Sequence, residues 1–292
     1  MINQTQIIIE SRPKDLGGLL VTRVLPWSKK RMVGPFIFLD HMGPADLDSD
    51  HHINVRAHPH IGLSTLTYLF KGRIHHKDSL GSSVVIIPGE VNWMTAGKGI
   101  SHSEKAPQED LGKISELHGL QFWVALPDEL EEMEPSFHNF KSADIPKIHS
   151  TEAHIDVVVG EFQGRKSPVK SFSPLIFLNI KAETDYQFKY DPKSFEVALY
   201  LIEGSITVGD KTYHNHELIV FEKGSLIDAT ITAGTHCSLI GGERFPHEKY
   251  IFWNFVSSSK EKISKARDNW NAGNFPQVPG EIEKIMAPHD PI

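Results

Sequence analysis

The sequence predicts an all-β protein of two antiparallel β-barrel (jelly-roll) domains, with one helix near its C-terminal end. Three observations carry this. Short runs rich in β-branched and aromatic residues recur between turn signals along most of the chain. A short segment repeats in the same order in the two halves. The chain has 292 residues, more than one hydrophobic core usually organises, which favours two domains.

The strand-forming runs are 63–70, 83–87, 121–126, 154–159, 175–180, 197–202 and 217–221. Lys71-Gly72, Pro88-Gly89, Glu203-Gly204, Gly209-Asp210 and Lys223-Gly224 punctuate them, as hairpins require and as alternating βαβ units do not. The repeat pairs Tyr68-Leu-Phe-Lys-Gly72 with Tyr200-Leu-Ile-Glu-Gly204, and Thr95-Ala-Gly97 with Thr232-Ala-Gly234. A polar stretch from Pro127 to Pro146 is the natural boundary, giving an N-terminal domain over 1–140 and a C-terminal domain over 141–292 that carries the helix. That helix is read from Ser258 and Glu261 at capping-box spacing, from Ile263, Ala266 and Trp270 on one face, and from Gly273 as its stop. The segment from Phe275 to Gly280 is extended, because its two prolines remove donors and push the preceding residues out of the α region.

Composition excludes several classes of function. No apolar run approaches the roughly 18 residues of a membrane span, and no secretory leader is legible, so a cytoplasmic protein is expected. Cys237 is the single cysteine, which rules out an intramolecular disulfide and a cysteine-rich zinc site. A net charge of −7 argues against direct nucleic-acid binding. Nucleophile-elbow and phosphate-loop motifs are absent. The 17 histidines are the unusual feature.

In Arg56-Ala-His58-Pro-His60 the two histidines are two residues apart, so an extended backbone projects both from one face. His102 and Glu104 repeat that spacing, and neighbouring strands would bring all four together as metal ligands. Three imidazoles and one carboxylate suit one divalent transition metal, Fe(II) first and Mn, Ni, Cu or Zn as alternatives, and leave coordination positions open for dioxygen or a substrate. Each pair alone reads equally well as loop histidines. The pairs His51-His52 and His75-His76, and the cluster His214-Asn-His216-Glu217, read as exposed. His118 reads as a neighbour of the site or a satisfied buried histidine.

Gly34-Pro-Phe-Ile-Phe-Leu-Asp40-His-Met-Gly-Pro44, His58-Pro-His60, Pro88 through Gly97, His102-Ser-Glu104 and the closing Phe275-Pro-Gln-Val-Pro-Gly280 resemble the pirin family over nearly the whole chain. The resemblance implies two cupin barrels, with a metal, usually iron, held in the first by His58, His60, His102 and Glu104. Ser64 and Thr65 occupy the stretch where the general cupin pattern places its glutamate, so Glu104 is left to supply the carboxylate. In the second barrel Tyr190 and Pro192 fall where His58 and His60 stand, which implies no metal there. The resemblance further implies a dioxygenase that opens the central ring of flavonols such as quercetin and releases carbon monoxide, with Glu104 as catalytic base. The alternative it implies is a non-enzymatic, metal-dependent redox sensor acting on a protein partner.

Overall fold

The computed structural model describes residues 2–15, 20–47 and 52–289. Its regular structure is mostly antiparallel strand, with one α-helix among the described residues, at Lys260–Asn271. The chain divides into two compact units. One, called here the N-terminal barrel, comprises Lys14–Val21, Met42–Ser142 and Pro246–Ile292. The other, the C-terminal barrel, comprises Met1–Pro13, Thr22–His41 and Ala143–Phe245.

A single cut after residue 140 differs from this division. It falls near the Ser142/Ala143 boundary, but the terminal segments belong to the opposite units. Strand Thr5–Glu10 pairs with Glu217–Phe221 in the C-terminal barrel. The helix expected in the C-terminal domain packs in the N-terminal barrel, where Ile263, Ala266 and Trp270 cluster with Ile61 and Phe255. Strand and helix faces state that they need burial, not which partner provides it.

In the N-terminal barrel Leu63–Lys71 lies between Val91–Thr95 and Ser115–Ala125, and a four-stranded sheet runs Asn54–His60, Ile100–Lys105, Ile74–Asp78, Ser83–Ile86. The C-terminal barrel repeats both patterns. Glu196–Glu203 lies between Glu217–Phe221 and His236–Gly242, and its four-stranded sheet runs Tyr186–Tyr190, Ile227–Ile231, Ser205–Val208, Lys211–His214. The registers agree as well. His102 stands opposite His58 and Glu104 opposite His76. In the other barrel Ile227 stands opposite Tyr190 and Ala229 opposite Val208.

Gly72 and Gly204 end the equivalent strands Leu63–Lys71 and Glu196–Glu203, both with positive φ (+80° and +95°). A Cβ at Gly72 would strike the Glu116 carbonyl, and one at Gly204 the Thr235 side chain. The second repeat read from the sequence does not share this equivalence. Thr95-Ala-Gly97 leads into Ile100–Lys105, whereas Thr232-Ala-Gly234 follows Ile227–Ile231, one strand later.

The helix cap lies one residue after the expected one. Ser259 is the N-cap, its Oγ accepting from the Lys262 N–H, while Ser258 is held by Glu131. Gly273, at φ +80°, follows the C-cap as expected. Glu131 is buried and also accepts from Lys249 Nζ (2.7 Å) and Ser257 Oγ (2.8 Å). These bonds anchor the hairpin made by Tyr250–Phe252 and Phe255–Ser257. Its turn residue Trp253 adopts φ +52°, a conformation a bulky side chain holds only when its surroundings impose it.

Candidate metal centre

Strand Asn54–His60 is the edge of its sheet, which tolerates the missing donor of Pro59 and lets residues 58 and 60 face the same side. The ladder to Ile100–Lys105 shifts between His102 and Glu104, from partner His58 to partner Val55. The extra residue of this bulge releases the Arg56 carbonyl, which accepts the Nδ1–H of His58 at 2.9 Å. The Asn254 carbonyl, at the tip of the Trp253 hairpin, accepts the Nδ1–H of His60 at 3.0 Å. Both rings are therefore left with a lone pair on Nε2.

His58, His60 and His102 each bring one nitrogen into a common space, all within 4.8 Å of one another. His60 Nε2 and His102 Nε2 are 3.1 Å apart. This is about the separation of two neighbouring nitrogens bound at ~2.1 Å to a shared ion. All three rings are buried, and burial drives their protonation down, His58 to about 4 and the other two well below the usual range. Uncharged imidazoles with converging lone pairs fit a transition metal, and a second proton would not fit among them.

Glu104 joins a second, overlapping group, with His102 and His76. Burial raises its pKa, against the pull of His76, Gln121 and Thr67. Its Oε1 lies 3.5 Å from both Thr67 Oγ1 and Gln121 Nε2, and Thr67 donates to Gln121 Oε1 at 2.6 Å. The four residues named from the sequence thus meet in two overlapping triads that share His102.

His76 corrects the sequence reading. It is fully buried and faces His102, while its neighbour His75 turns to the opposite side. The alternation Ile74-His75-His76-Lys77-Asp78 is compatible with either face inward, so the sequence alone gave no sign of which histidine enters the barrel. Thr67 and Gln121 were also missed, because polar residues in otherwise apolar strands carry no ligand signature.

His118 is half-buried against the Phe70 ring, at a centroid distance of 5.0 Å, and does not reach the triad. His51 lies outside the described residues, and His52 is half-buried, its Nε2 accepting from the Gly112 N–H. His214 is exposed as expected, but His216 is half-buried, with its ring 5.3 Å from that of His41. Phe36 to Leu39 are buried core, and the Trp123 ring stands 5.1 Å from that of His60.

Two β-barrels, one enclosing a histidine-rich polar cluster, define a bicupin. The family comparisons say which kind. Residues 18–124 match the Pirin family model and residues 177–276 the Pirin C-terminal cupin domain. A pirin-like protein of Caulobacter vibrioides is 43% identical over 274 residues, covering 92% of this chain and 94% of its own. The chain belongs to the pirin family. A crystal structure of quercetin 2,3-dioxygenase from Acinetobacter baumannii superposes with a TM-score of 0.91 at 33% identity, covering 98% of this chain and 95% of that one. A bacterial pirin of Escherichia coli crystallised with nickel(II) superposes with a TM-score of 0.62, covering 82% of this chain and 99% of that one; at 17% identity it speaks for the fold alone. No helix among the described residues is long and apolar enough to cross a membrane.

Proposed function

We propose that this pirin is a metal-dependent dioxygenase acting on flavonol-like aromatic substrates, with His58, His60, His102 and Glu104 as its metal ligands. The observation that carries the reading is the convergence of three uncharged imidazole nitrogens beside a buried carboxylate whose affinity for a proton is raised. The likeness to a quercetin 2,3-dioxygenase at 33% identity supports the substrate class. Fe(II) is the ion we favour for this donor set, and Mn, Ni, Cu and Zn have the same ligand preferences.

A bound metal supplies Lewis acidity and a path for electrons between an electron-rich enolate and dioxygen. Glu104 takes the proton of the substrate hydroxyl, which requires a labile bond to the metal, since a tightly coordinated carboxylate holds a proton less readily. Gln121, itself held by the Thr67 hydroxyl, faces the carboxylate from one side, and the Trp123 ring packs edge-on to that of His60. Ring opening then consumes one dioxygen and releases one carbon as carbon monoxide.

The test is oxygen uptake and flavonol bleaching by anaerobically iron-loaded protein given quercetin, beside Glu104→Gln at matched metal content. Turnover should fall by about 10²–10⁴-fold in the variant. Absence of turnover in wild type loaded with iron, manganese, nickel or copper overturns the dioxygenase reading.

A second reading rests on how closed the centre is. His58 and Glu104 keep 6% and 9% of their surface exposed, and His60 and His102 almost none. A metal so enclosed suits a redox sensor that acts through a protein partner. That reading gains if oxidation of the bound iron changes protease susceptibility of the loops while flavonol is left untouched.

A further inference from the structure

His102 differs from the other two imidazoles in what stands behind it. Main-chain carbonyls fix His58 and His60, and a carbonyl can only accept. Behind His102 stands a side chain, with its Nδ1 3.4 Å from Nδ1 of His76. His76 Nε2 in turn lies 3.1 Å from Oδ2 of Asp78. Both residues are buried, and the Phe137 ring stacks on His76 at 4.4 Å and 12°, which fixes the plane of the imidazole.

Asp78 Oδ1 is committed to the N–H groups of Leu80 and Ser82, at 2.9 and 3.0 Å. Its other oxygen can only accept from His76. His76 must then carry its proton on Nε2 and present a lone pair at Nδ1. That lone pair places the proton of His102 on Nδ1 and leaves His102 Nε2 unprotonated, facing His60.

We infer that Asp78 and His76 are positioning residues that set the tautomer of His102 for metal binding. This rests on the metal centre proposed above. The other role open to His76 is that of a ligand itself, with His102 and Glu104. That role would draw metal to Nδ1 of His102, away from the nitrogens that His58 and His60 present.

Asp78→Asn tests whether the protonation of His76 reaches the metal centre, and nitrogen NMR separates the two roles of His76. The substitution keeps the volume and the turn acceptor but offers His76 an N–H. The relay then reverses, and His102 Nε2 acquires the proton. Nickel(II) affinity, read by chelator competition, should fall about 10–100-fold. In a His76→Asn background the relay is already cut, the amide oxygen still accepts from His102, and the same Asp78→Asn change should cost less than about twofold. In the zinc-loaded wild type, ¹⁵N NMR should show His102 bound through Nε2 with its proton on Nδ1, and His76 free of metal. A wild type that binds no nickel overturns the centre and the relay together. A wild type that binds, with equal Asp78→Asn effects in both backgrounds or with zinc on His76, overturns the relay alone.

Discussion

The two barrels share strand order and register, yet their interiors have opposite chemistry. Where the N-terminal barrel has His58, His76, His102 and Glu104, the register of the C-terminal barrel puts Tyr190, Val208, Ile227 and Ala229. Thr67 and Gln121 face one another across a ladder. Their counterparts, equally opposite one another, are Leu199 and Leu239. All the replacements but Tyr190 are buried members of one apolar cluster, and Tyr190 packs against it. The backbone is thus indifferent to what fills it. An apolar filling stabilises by area removed from water, whereas a filling of imidazoles loses solvation and recovers it only through hydrogen bonds and a bound cation.

That contrast can be broken most severely at the ligands. The double variant His58→Ala/His102→Ala should lose stoichiometric metal binding while far-ultraviolet circular dichroism stays that of a β protein; unchanged metal content would remove these residues from the ligand set. Leu239→Ala should do the reverse. It creates a cavity in the apolar barrel worth about 2–5 kcal/mol, measurable by urea unfolding, and should leave metal stoichiometry unaltered.

Acid separates the fillings further. The unfolded chain protonates its histidines near 6.5, while burial in the folded metal-free protein keeps His58 neutral down to about 4 and holds His60 and His102 well below the usual range. The unfolded state therefore binds more protons in this window. The stability that depends on these histidines is whole above pH 6.5 and is lost as pH falls toward 4. The thermal midpoint of metal-free wild type should drop more steeply over that range than that of the double variant. The smallest effect belongs to Gln121→Leu, which copies its counterpart Leu239. It should lower flavonol turnover several-fold by freeing Glu104, with metal content and thermal midpoint nearly unchanged, and a midpoint shift larger than the turnover loss would make Gln121 a packing residue.

Much of this contrast is legible in the sequence because the side-chain period of a strand is two. His58 with His60 and His102 with Glu104 sit at that period, and so declare a shared face. The adjacent pair His75-His76 declares nothing, since one of the two must point each way. Ser258 sits at capping-box spacing from Glu261, yet the buried Glu131 bonds both Ser257 and Ser258, which leaves Ser259 as the cap of the helix. The exchange of terminal segments was hidden for a different reason. A strand such as Thr5–Glu10 records its need for a partner, while Glu217–Phe221 lies more than two hundred residues away.

The hairpin that carries Asn254 has a bearing on biosynthesis. Asn254 lies 194 residues beyond His60, whose ring its carbonyl fixes. At a translation rate of about 5–20 residues per second, His60 leaves the peptidyl-transferase centre roughly 10–40 s before its partner exists. For the last 150 residues of that interval, from Glu104 to Asn254, a nascent chain owns every proposed ligand and lacks one of the acceptors that orient them, so cellular metal would meet a finished set of donors before it meets a finished site.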